Sequence, residues 1–143
     1  MAIHHPIPAG LFCVPTAICA LTGADPAAAV IPAINRAERA ESLLIPPEGV
    51  HITAIAPALR DLGYVARRYR KPDLFARLST WARRSLRYPG RGLLVCTAGR
   101  HGHAVAVQDG RIYDNHAPRG TGPDEHPFSR CLVDWVALVE RLP

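Results

Sequence analysis

Cys13 stands near the head of FCVPTAICALTG, where Pro15 suits a first helical turn and Gly23 a stop. The spacing predicts a thiol at or just before a helix N-terminus. There the helix dipole and unpaired N–H groups favour a thiolate and lower its pKa. The second chemistry-bearing run is HGHAVAVQDGRIYDN, residues 101–115. Asp109-Gly110 is a strong signal for a two-residue hairpin turn. With that turn, Gln108 opposes Arg111, Val107 opposes Ile112, Val105 opposes Asp114, and His103 opposes His116. His103, Val105 and Val107 then share a face with Ile112, Asp114 and His116, while Asn115 points the other way beside Ala104. His103 and Asp114 become diagonal neighbours, close enough for a carboxylate to orient an imidazole. A nucleophilic Cys13, a base in His103 and an orienting Asp114 would together attack an amide or related acyl carbon and form an acyl-enzyme. The backbone N–H of Cys13 would help hold the oxyanion.

The elements that must position these residues follow from periodicity and punctuation. After the Cys13 helix, Asp25-Pro26 opens a second helix toward Glu41, with Pro32 a predicted kink. A third runs from about Thr53 to Leu62 and stops at Gly63. YVARRY has the composition of a short strand, and DLFARLSTWARRSL places Leu74, Leu78, Trp81 and Leu86 at helical spacing. GLLVCTA reads as a buried central strand, AVAVQDGRIYD as the hairpin, and His116 to Ser129 as loop. CLVDWVALVERL reads as either strand or helix, with strand favoured over Val133 to Val139. Helices first and an antiparallel sheet later make an α+β arrangement, in one domain spanning residues 1–143.

At this point the chain resembles a known group. FCVPTAICALTG is similar to the nucleophile helix of papain-like cysteine peptidases, above all the bacteriocin-processing, double-glycine type. GHAVAVQDGRIYDN resembles the histidine strand and returning acidic strand of the same superfamily, and the order Cys, His, Asp agrees. Small phage and bacterial proteins carry similar motif pairs. The resemblance implies a papain-like fold with Cys13 as nucleophile, His103 as base and Asp114 as orienter. Such enzymes usually carry a glutamine several residues before the cysteine to complete the oxyanion hole. Here Ile7 stands at about that place, Gln108 is the chain's only glutamine, and His4, His5 or a backbone amide would have to substitute. Resolution of the acyl-enzyme by water would make a peptidase, amidase or deamidase; resolution by an amine would make an acyltransferase or transglutaminase-like enzyme.

Composition bounds these readings. The 143 residues can bury roughly 70% of the unfolded chain's surface, so no disulfide or metal staple is required. Apolar content of 48% against 20% charged residues reads as globular, and no segment approaches the ~20 apolar residues of a membrane span. The start MAIHHPIPAGLF lacks a secretory signal pattern, which predicts a cytoplasmic protein. The four scattered cysteines lack CxxC spacing and read as free thiols, with Cys19 and Cys96 assigned to packing and Cys131 uninformative. The net charge is +5, with basic residues crowded at Arg67, Arg68, Arg70, Arg77, Arg83, Arg84, Arg87 and Arg91. Of these, Arg67, Arg68, Arg70, Arg83, Arg84 and Arg87 could face an anionic partner, as in a non-catalytic binding protein. A metal-dependent alternative would use His103, Asp114 and His116, with His101 able to replace one histidine. His126 reads as a loop residue. The cysteine mechanism itself needs no cofactor.

Overall fold

The structure is a computed structural model and describes residues 13–40, 52–69, 76–85, 91–98 and 101–143. Helix α1 (Cys13–Thr22) ends at Gly23, whose N–H returns to the Cys19 carbonyl at 2.9 Å. Asp25 then caps the next segment, its Oδ1 accepting the Ala28 N–H at 2.6 Å. That segment starts as a π-wound turn (Pro26–Val30) and continues as α2 (Ile31–Ala40). The expected disturbance at Pro32 takes this form: proline brings no N–H of its own, and the turn ahead of it is underwound to the wider i→i−5 hydrogen bonds of a π-turn, as from Val30 N–H to Asp25 O. A short 3-10 turn (Ile52–Ala54) leads into α3 (Ile55–Asp61). Helix α4 is shorter than its periodicity predicts, Leu78–Arg84, because Ala76 and Arg77 are extended and pair with the chain at Leu132 and Val133. Leu74, Leu86 and Glu41 lie outside the described residues.

Among the described residues, six strands form one antiparallel sheet in the order β1-β6-β2-β3-β4-β5. They are β1 (Tyr64–Arg68), β2 (Arg91–Ala98), β3 (His101–Gln108), β4 (Arg111–Asp114), β5 (Ala117–Thr121) and β6 (Val133–Arg141). The apolar β2 is central, between β6 and β3. Asp109 and Gly110 both take positive φ, 52° and 77°, as the tight hairpin turn requires. The resulting register pairs Gln108 with Arg111, Val107 with Ile112 and Ala106 with Tyr113. Strand β5 corrects the reading of residues 116–129 as loop throughout. Pro118 and Gly120 weaken the strand signal, but an edge position tolerates both.

Alternation along β3 divides the interior. Ala104 and Ala106 pack with α1, α2 and α3 on one face, beside Leu93, Tyr113, Trp135 and Ala137. Val105 and Val107 pack on the other face with Ile112, Leu94, Val133 and the α4 residues Leu78 and Trp81. Small alanines on the first face let α1 lie close to β3. No single helix among the described residues is long and apolar enough to cross a membrane.

Gly120 (φ 83°) sits where β5 folds over Tyr113, and a Cβ there would lie 2.7 Å from the tyrosine Cε1. Gly120→Ala is expected to destabilise by about 2 kcal/mol through overpacking and a disfavoured φ. Calorimetry should show a melting temperature lower by roughly 6 °C; an unchanged melt would contradict this packing of β5.

Candidate active site

The site forms where the β3–β4 ladder stops. In an antiparallel hairpin every second pair exchanges hydrogen bonds, so Gln108, Ala106 and Ala104 direct their N–H groups toward β4. The ladder ends at Ala106 and Tyr113, and the Ala104 N–H instead meets the Cys13 sulfur. The thiol reaches this opening from α1 on one face of the sheet, and His103 reaches it from the parity of Val105 on the other. Cys13 hydrogen-bonds the His103 side chain and also the Val14 N–H of its own first helical turn.

His103 holds the thiol and a carboxylate at opposite ends of its ring. Its Nε2–H donates to Asp114 Oδ2 at 2.6 Å, leaving Nδ1 as the ring nitrogen for Cys13. Asp114 has no solvent exposure, and the same side chain closes the β4–β5 turn. Its Oδ1 accepts the backbone N–H groups of His116 and Ala117, both at 2.9 Å, in an Asx-type arrangement.

A second imidazole lies on the same carboxylate. His126 Nε2–H donates to Asp114 Oδ2 at 2.8 Å, and its side chain is fully buried. Its Nδ1 accepts the Phe128 N–H at 3.0 Å, which fixes the tautomer. The loop that carries it is pinned by α4, whose first N–H groups donate to Cys131 O and Ser129 O, each at 2.9 Å. Phe128 covers the cluster, its ring centroid 4.8 Å from that of His103. His126 is the residue that the sequence reading missed. Its only signal is an isolated histidine in GTGPDEHPFS, a proline-rich run with no periodicity to say which way it points.

The electrostatics follow from these partners. Burial pushes the Cys13 thiol up, but hydrogen bonds from His103 and the Ala104 N–H, the His103 charge and the Val14 N–H together bring it below its ordinary value. Burial likewise works against a charged His103, yet its bonds to Asp114 and Cys13 raise it to about 9. Asp114 is desolvated too, and the donors His103 and His126 hold it well below the usual carboxylate range. Burial raises Cys19 to about 11, with Asp25 adding to it, and Cys96 to about 12, with Cys131 adding. A thiolate–imidazolium pair at Cys13 and His103, backed by an ionised carboxylate, can attack an acyl carbon and deliver a proton to a leaving group.

The other expected site residues separate. His116 contributes its backbone N–H to Asp114, and its ring lies 5.6 Å from that of His103. Both His103 and His126 direct a ring N–H at one carboxylate oxygen, a hydrogen-bonding set; no group of three or more His, Cys, Asp or Glu among the described residues is arranged to hold a metal ion. Gln108 is buried at the turn end of β3, five residues and roughly 17 Å from His103, so it supplies no oxyanion donor there. His4, His5, Ile7, Arg70, Arg87 and the side chain of His101 lie outside the described residues. The remaining arginines do not share one face. Arg67 pairs with Glu140 at 3.2 Å, while its neighbour Arg68 lies over Trp135 on the opposite side of β1. Arg83 pairs with Asp124, Arg84 lies over Trp81, and Arg91 donates to Leu21 O. Compared with known proteins, the chain matches no family model, no curated protein and no solved structure.

The shifts predict selective chemistry. Iodoacetamide should alkylate Cys13 well below pH 8 and leave Cys19 and Cys96 unmodified, and His103→Ala should abolish the selectivity. Peptide mapping by mass spectrometry reads this directly; labelling of Cys13 no faster than a free thiol of pKa about 8.5 would contradict the ion pair.

Proposed function

We propose that the protein is a cysteine-dependent hydrolase of papain-like architecture that cleaves an amide or related acyl bond through Cys13, His103 and Asp114. The observation that carries this reading is the His103 ring shared between the Cys13 thiol and the buried Asp114 carboxylate. A cysteine opening a helix, packed on an antiparallel sheet that carries the histidine and then the aspartate, supports the papain-like assignment.

The mechanism follows from the two ring nitrogens. The Cys13 thiolate adds to the acyl carbon, forming a C–S bond and placing charge on the carbonyl oxygen, for which we assign the Cys13 backbone N–H as a donor. Collapse of the adduct breaks the bond to the leaving group, which takes the proton from His103 Nδ1. The now neutral Nδ1 removes a proton from water as water attacks the thioester. Breakdown of the second adduct releases the acid, and the proton on Nδ1 restores the ion pair. Throughout, Nε2–H stays on Asp114, so the ring neither rotates nor changes tautomer.

Hydrolysis of a fluorogenic peptide-amide library, with Cys13→Ala as the blank, tests the proposal. Turnover should fall on the acid side as Cys13 becomes protonated, and again near pH 9 as His103 loses its proton. Asp114→Asn puts an amide where both oxygens receive donors: in either orientation an NH₂ group faces N–H groups. His103 escapes that conflict only by moving its proton to Nδ1 in the neutral ring. The variant should lose about 10²-fold or more in kcat/KM, and its basic limb should move from about 9 toward ~6.5. Turnover that survives Cys13→Ala would refute the assignment.

A further inference from the structure

We propose that His126 is a positioning residue of this site, acting through Asp114 on His103. The inference rests on the hydrolase reading and adds a fourth side chain to it. A carboxylate oxygen offers two lone pairs, and His103 uses one on Asp114 Oδ2. With no solvent at this carboxylate, the second would be left unsatisfied, and the oxygen could turn away from His103 or take up a proton. His126 Nε2–H fills that place at 2.8 Å. Both oxygens then have two donors each, and rotation about the carboxylate would lose bonds rather than exchange them.

The Phe128 N–H makes this more than incidental packing. It donates to His126 Nδ1, so the ring's proton sits on Nε2, facing Asp114. Backbone at residue 128 thus sets the tautomer of His126, His126 holds the carboxylate, and the carboxylate sets the tautomer of His103. The α4 N-terminus holds the same loop in place.

Several titratable groups face this network. Cys13 from α1 and Asp114 from β4 contact His103, and His116 lies beside it. His126 comes from the loop, and Cys96 on β2 lies within the field of Asp114. Loss of His126 removes a donor from Asp114 without touching Cys13.

The test is the pH profile of Cys13 alkylation in wild type, His126→Phe and His126→Gln, with His103→Ala as the reference for an unassisted thiol. His126→Phe keeps the ring volume but removes the donor. Its acid limb should rise by about one pH unit, lowering Cys13 labelling about tenfold at mildly acidic pH. His126→Gln, with a side-chain N–H able to reach the Nε2 position, should recover most of the wild-type profile. A His126→Phe profile superimposed on wild type would overturn the inference and leave the hydrolase reading standing. A wild-type profile equal to that of His103→Ala would instead remove the hydrolase reading and this inference with it. Nitrogen-15 NMR of the wild-type rings gives a second readout that needs no variant to fold: the Nε2–H tautomer is expected at His126, and an Nδ1–H tautomer would overturn the proposal.

Discussion

Taking an ionised carboxylate out of water is costly unless donors replace the hydration it loses. Asp114 meets this condition with four, two imidazoles on Oδ2 and two backbone N–H groups on Oδ1. Each donor ties down a different part of the chain. The His116 and Ala117 amides turn β4 into the edge strand β5, His103 fixes the open end of β3, and His126 draws in the loop that α4 anchors. One carboxylate therefore joins the local turn, the sheet edge and the loop, and also holds the ring that faces the thiol.

The thiol comes from α1, packed on one face of the sheet, and the imidazole from β3, where His103 has the parity of Val105 toward the other face. They meet because the hairpin ladder ends early: beyond Tyr113 the chain turns into β5, which frees the Ala104 N–H for the Cys13 sulfur. Burial alone pushes thiols upward, as it does at Cys19 and Cys96. At Cys13 the partners outweigh burial, so position and hydrogen bonding separate one cysteine from the others in the same domain.

Much of this was legible in the sequence because the governing signals are local. Gly23 and Pro15 bracket the Cys13 helix, and Asp109-Gly110 sets a register that puts His103 and Asp114 on one face. The α+β order and the central position of GLLVCTA follow from the same local patterns. The misses are non-local or ambiguous. Pro118 and Gly120 hide an edge strand. Arginines close in sequence separate in space because neighbours on a strand, such as Arg67 and Arg68, point to opposite faces. His126 is drawn to Asp114 by long-range contacts between its loop and α4, which no periodicity within GTGPDEHPFS encodes.

The proposed chemistry depends on a resting thiolate–imidazolium pair held by Asp114. Its most direct test is the ultraviolet thiolate absorbance of wild type minus Cys13→Ser, followed against pH without any substrate or reagent. Thiolate absorbance should develop below the ordinary cysteine range and persist through the pH near 9 at which His103 deprotonates. Absorbance that first develops at the ordinary thiol pKa of about 8.5, unaffected by the loss of His103, would contradict it.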